Sequence, residues 1–127
     1  MVYKDAGLDD RRYQMNTVTL QIASLETVKK RLAAALHSEP QVTFLSFASA
    51  EIMWKVLTAK RWEILRAMTG QGEMAIRAVA RGVNRDVEAV HSDITALLVA
   101  GIVERGDHGV VFPYDAIHVD FTLTKAA

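Results

Sequence analysis

Between positions 77 and 108 the sequence sets Arg77 and Arg81 one helical turn apart, Arg85 a turn further on, then Glu88, Ala89 and Ser92, and finally Arg105 and His108 beside a glycine-flanked tip. These residue types do recognition chemistry. A guanidinium can clamp a phosphate or pair with O6 and N7 of guanine, a glutamate accepts from cytosine N4, and a methyl group packs on that of thymine. Ser92 can donate to a base or to a phosphate. Arg85 is the strongest candidate of the set. Arg77 and Arg81 suit phosphate contacts from a helix that crosses a nucleic-acid backbone. Arg105 and His108 suit a phosphate or the minor groove, and serve equally well as exposed turn residues. Glu88 can also be a solvated charge, Ala89 simple filler, and Asp86 suits a helix cap better than a reader of bases.

Chemistry that breaks bonds lacks its residues. The histidines are His37, His91, His108 and His118, none in His-Glu-x-x-His spacing and none with a cysteine, so no metal site is expected. His91 and Asp93 stand two apart, which points them in different directions on a helix. There is no phosphate-binding or dinucleotide-binding glycine pattern and no Gly-x-Ser-x-Gly, and neither Ser46 nor Ser49 has a visible base. Neither an enzyme nor a cofactor is expected.

The chain has 127 residues, 50% of them hydrophobic and 24% charged, which fits a globular α+β protein able to bury a core. It has no cysteine, which rules out disulfides and thiol catalysis and accords with a reducing compartment. No apolar run approaches the ~20 residues of a membrane span, and "MVYKDAGLDDRRYQ" has no apolar core of a signal peptide. A cytoplasmic protein without membrane contact is expected. Basic and acidic residues balance at 15 each, against purely charge-driven binding to a polyanion.

The elements that must position these residues follow from period and punctuation. Residues 1–15 show no period and read as a flexible arm, with Arg11 and Arg12 solvated. "TVTLQIA" alternates, with Val18, Leu20 and Ile22 on one face, and predicts a half-buried strand. "SLETVKKRLAAALHS" predicts a helix capped by Ser24, with Leu25, Val28, Leu32 and Leu36 inward, ending at Glu39-Pro40. "QVTFLSFA" predicts a strand buried on both faces, completing a strand–helix–strand crossover over residues 16–48 that suits dimerisation. "AIHVDFTL" alternates again, and predicts a third strand pairing with the N-terminal ones, in its own chain or in a partner's. Helices follow at "SAEIMWKVL" (cap Ser49), "TAKRWEILRAMTG" (cap Thr58) and "MAIRAVARGV". Lys60, Arg61 and Arg66 are expected to stay wet. Asn84 should take the left-handed turn conformation and Asp86 should cap the next helix. Along that helix Val87, Val90, Ile94, Leu97 and Leu98 form an apolar stripe up to Gly101. Arg85, Glu88, Ala89, Ser92, His91 and Thr95 are left outward.

Two helices joined by a short turn, followed by "IVERGDHGVVF" as a hairpin, predict a winged helix-turn-helix over residues 49–127, with the C-terminal strand included. The segments "LTAKRWEILRAM", "AIRAVARGVNRDVEAVHSDITALLVAGIVE" and "GVVFPYDAIHVDFTL" resemble short prokaryotic winged-helix regulators, MarR-like DNA-binding proteins that include antitoxins paired with a small toxin. The resemblance covers about residues 44–123. It implies sequence-specific binding of double-stranded DNA by a homodimer, and repression of the protein's own or a neighbouring operon. From 84 to 98 one arginine stands against Asp86, Glu88 and Asp93, so each half is expected to bind modestly and two half-sites together to recover affinity.

Two further readings use other residues. In one, the N-terminal elements and a tail carrying Asp115 and Asp120 grip a basic partner such as a small toxin. In the other, a pocket between the sheet and Trp54 or Trp62 senses a small molecule, although both tryptophans are better explained as core.

Overall fold

A computed structural model describes residues 16–35 and 43–122. The arm at 1–15, the helix stop at Glu39-Pro40, and His37, Leu36 and Leu123 lie outside the described residues. Ten elements follow one another as β1 (Thr17–Ile22), α1 (Leu25–Ala35), β2 (Thr43–Phe47), α2 (Ala50–Val56), α3 (Ala59–Met68), α4 (Ile76–Val83), α5 (Val87–Val99), β3 (Glu104–Arg105), β4 (Val110–Val111) and β5 (Ala116–Asp120). The described residues are thus mixed α and β, with five helices, a three-stranded sheet and a two-stranded hairpin. No described helix is long and apolar enough to cross a membrane.

β1 lies in the middle of a three-stranded sheet, with β2 on one side and β5 on the other, both parallel to it. Parallel neighbours need a crossover, which α1 supplies between β1 and β2. β5 comes from the far end of the same chain, the intrachain one of the two pairings the sequence left open, and is fixed at its start. The Asn16 amide donates to Asp115 and its side chain to the Pro113 carbonyl, while the Asp115 amide returns a bond to the Asn16 carbonyl. The central strand, expected to be half-buried, is covered on both faces, with Val18, Thr19, Leu20 and Gln21 all buried, because it has a strand on either side. Gln21 answers its burial by donating to the Ser46 hydroxyl at 3.0 Å.

β2 departs from expectation. Its apolar residues predict burial on both faces, yet only Phe47 is buried, because a sheet this narrow leaves β2 at an edge. Trp54 departs too. It is 50% exposed, its ring edge-on to Phe121 at 5.9 Å, rather than in the core. Trp62 is partly buried against the core.

The helix starts follow their caps. Ser24, Ser49 and Thr58 each accept a hydrogen bond from the amide three residues on. α4 and α5 end alike. Asn84, in the left-handed conformation with φ 56°, lets the Arg85 amide reach back to the Ala80 carbonyl. Gly101 at φ 82° does the same for Ile102 and the Leu97 carbonyl. This is the six-to-one closure that satisfies otherwise orphaned carbonyls at a helix end.

One buried cluster joins sheet and helices. It holds Val18, Leu20 and Phe47 from the sheet, Met53 and Leu57 around α2, and Ile64, Leu65 and Met68 from α3. Val79 and Ala80 of α4 join it, as do Val90, Ile94 and Leu97 of α5, then Ile102, Val103, Val110 and Phe112 after α5. The β3–β4 hairpin is tied to the segment before α4 by paired backbone bonds between Met74 and Val110, each 2.8 Å. Gly109 makes that approach possible, since a Cβ there would stand 2.2 Å from the Met74 carbonyl oxygen. Gly109→Ala should therefore destabilise the protein by about 1–3 kcal/mol in urea unfolding, as overpacking does. Gly82→Ala, whose Cβ would meet only the Ala67 Cβ at 3.8 Å, should instead stabilise by up to about 1 kcal/mol through helix propensity.

Candidate nucleic-acid interface

Four of the candidate residues, Arg77, Arg81, Arg85 and Glu88, gather around the turn between α4 and α5, while Ala89 and Ser92 lie further along α5 and Arg105 and His108 on the hairpin. An open cleft of about 840 Å³ is lined there by Arg77, Arg81, Asn84, Arg85, Asp86 and Glu88, together with Ala80 and Val87. α5 is locked from behind by Val90, Ile94 and Leu97, which recur at three- and four-residue spacing and are fully buried. Its opposite face is therefore held outward. Glu88, Ala89, His91, Ser92 and Thr95 are all exposed, as the spacing predicts. Arg77 and Arg81 are exposed on the neighbouring helix.

Val87 is a correction. It was expected in the apolar stripe, but it is 41% exposed. It occupies the first position of the helix, ahead of the point where α5 meets α3 and α4, so it adds an apolar contact to the outward face.

Arg85 also departs from expectation. Its side chain is only 16% exposed and its Nη1 stands 3.0 Å from Oδ2 of Asp93, two turns along α5. That nitrogen is buried without an aligned hydrogen-bond acceptor, so the contact is one of charge rather than a directed bond. The Asp93 Oδ1 accepts from Nε of Arg61 at 3.0 Å. Arg61, expected to be wet, also donates from Nη1 to the Val56 carbonyl at 3.0 Å, closing the end of α2. Asp93 thus holds two arginines, and through them α2, α3, the α4–α5 turn and α5 are tied at one point. Nothing local in the sequence marks this, because the partners stand 32 and 8 positions away from Asp93.

Electrostatics around the cleft are mixed. Asp86 caps α5 by accepting from the Glu88 amide, and Glu88 sits in the first turn. Both oppose the positive end of the helix dipole that would otherwise draw a phosphate. Arg77 and Arg81 are the exposed cations of the cleft lining. Arg105 and His108 are exposed at the hairpin. Its tip closes with a bond from the Gly106 amide to the Gly109 carbonyl. The Glu73 carboxylate accepts from the His108 backbone amide, so the tip carries an acidic neighbour that the sequence did not indicate. Among the described residues no group of three histidine, aspartate or glutamate side chains could hold a metal ion.

A model of the HVO_A0114 family matches residues 56–119, just over half of the 127, and the chain belongs to that family. The matched stretch runs from the end of α2 to β5 and contains every residue of the cleft and hairpin. No curated protein and no solved structure matches the chain.

Burial pushes the Asp93 carboxyl up, but the hydrogen bond from Arg61 and the charges of Arg61 and Arg85 together outweigh it and hold the group below its ordinary value. A carboxylate depressed on folding stabilises above its unfolded value, and that contribution is lost as pH falls through the folded one. Asp93→Asn should therefore destabilise at neutral pH by about 1–4 kcal/mol, leaving two guanidinium groups uncompensated. The difference from the unchanged protein should shrink on acidification below about pH 4, read from urea melts across pH.

Proposed function

We propose that the chain is a sequence-specific, dimeric DNA-binding regulator of the winged helix-turn-helix kind, repressing its own or a neighbouring operon. In this reading α4, the turn at Asn84–Asp86 and α5 form the helix-turn-helix. The first turns of α5 enter the major groove, and the β3–β4 hairpin is the wing on the adjacent backbone. One observation carries it. α5 is clamped by its buried face and by Asp93 while Val87, Glu88, Ala89, His91 and Ser92 stand exposed beside Arg77 and Arg81. An exposed, rigidly held helix face with cations on the preceding helix is the arrangement a groove-reading helix requires.

Roles within the set shift accordingly. Arg77 and Arg81 take phosphates, Glu88, Ala89, Ser92 and Val87 meet base edges, and Arg105 and His108 meet the flanking backbone. Arg85 is a positioning residue that sets the angle of α5 through Asp93. Few phosphate contacts per protomer mean modest affinity for one half-site, raised by binding two.

The test is fluorescence anisotropy with a duplex taken from upstream of the gene, at several salt concentrations. Arg77→Ala with Arg81→Ala should weaken binding at least tenfold and reduce the salt slope by about two per protomer. Glu88→Gln should leave folding intact and change affinity unequally between duplexes that differ at one base pair, as a base-reading position does. Binding that is unchanged by the double arginine substitution would remove the reading.

A further inference from the structure

β5 carries a pattern that the cleft does not use. It is an edge of the sheet among the described residues, and its outer backbone groups have no strand beside them. An unpaired edge is a template for another strand, which proteins ordinarily blunt with charge, proline or a bulge. Here the strand instead runs Ala116–Asp120 into Phe121 with alternating side chains, Val119 being 40% and Phe121 38% exposed. His118 and Asp120 are exposed between them. Trp54, lying edge-on to Phe121, extends the exposed apolar surface beyond the strand.

The order of these residues is self-complementary. A strand that meets its own copy across a two-fold axis runs antiparallel to it, and residues directly opposite share a face. With the axis at Val119, that residue faces Val119 of the second copy. Ile117 then faces Phe121, and His118 faces Asp120, on both sides of the axis. From Ile117 to Phe121 every apolar side chain meets an apolar one and every histidine meets an aspartate, while Ala116 faces Thr122. Moving the axis to His118 sets His118 against itself and Ala116 against Asp120, and leaves Phe121 unmatched. Opposite-charge and apolar cross-strand pairs are the ones that stabilise such a seam.

We infer that a second copy of this chain docks antiparallel along β5 with the axis at Val119, joining two three-stranded sheets into one of six strands. The strand pair alone buries less than the ~1,200 Å² of a stable interface, so Trp54, packed on Phe121 beside it, adds to the contact. This deepens the dimeric reading above and rests on it for the expectation that two copies act together. It also places the pair of α5 helices on one continuous scaffold.

The chain has no cysteine, so a single introduced thiol reports the register cleanly. Val119→Cys in the full chain, treated with diamide as the two-electron oxidant, should form a disulfide-linked dimer at least tenfold faster than Val99→Cys, an exposed control on α5. Opposed residues at the axis lie within disulfide reach. Separately, Asp120→Lys should raise the dimer dissociation constant at least tenfold in sedimentation equilibrium, and His118→Asp combined with Asp120→Lys should restore it. That pair of variants decides the matter if Val119→Cys does not fold. Cross-linking no faster than the control, or no restoration by the exchange, overturns the seam. A rapidly cross-linking Val119→Cys dimer that binds no DNA supports the seam and counts against the regulator. DNA binding without rapid cross-linking overturns the seam alone.

Discussion

The carboxylate of Asp93 is the point on which the arrangement of helices depends. It lies on α5, takes Arg61 from α3 and Arg85 from the turn before α5, and through Arg61 reaches the last carbonyls of α2. A carboxylate removed from water is costly alone, and a guanidinium likewise, so the three groups hold only in company. Apolar burial sets α5 against α3 and α4 but is non-directional and tolerates rotation and sliding. The Arg61–Asp93 hydrogen bond is directional, and the charge of Arg85 adds to it. They fix which side of α5 faces outward and at what height the α4–α5 turn sits.

That constraint explains how a helix with so few cations can still be arranged for recognition. Arg85 serves the fold, and its charge is met internally by Asp93. The outward face is then nearly free of positive charge, and the cations bordering it belong to α4. In the proposed DNA-binding reading, such a surface relies on shape and on hydrogen bonds to base edges more than on ionic attraction. This accords with a chain whose basic and acidic residues balance at 15 each. The sheet contributes Val18, Leu20 and Phe47 to the shared core, and its β5 edge takes no part in the cleft.

Much of the frame was legible in the sequence because it is written in local rules. The caps at Ser49, Thr58 and Asp86 needed only a polar side chain ahead of a periodic stretch, and Asn84 was marked by its place between two such stretches. The alternation in 17–22 and 116–120 showed two strands whose pairing the structure confirms. What could not be read depends on partners distant in the chain. Apolar content made β2 look buried, but burial is set by how many strands flank it. Trp54 looked like core because size and apolarity say nothing of which side of α2 faces the sheet edge. Val87 matched the stripe by spacing, yet the stripe begins to be covered only where α3 and α4 reach it. Arg85 and Arg61 were read as free cations since a lone charge looks solvated until its partner is placed beside it.

The central claim, that the leading turns of α5 insert into a DNA groove, is tested most directly by amide chemical-shift mapping. The labelled protein would be titrated with a duplex from upstream of its gene. The account predicts perturbations concentrated at residues 85–92, with a second group at Arg77 and Arg81 and a third at 105–108. Shifts confined to β5 and α2, or no shifts at concentrations where the duplex is bound, would contradict it.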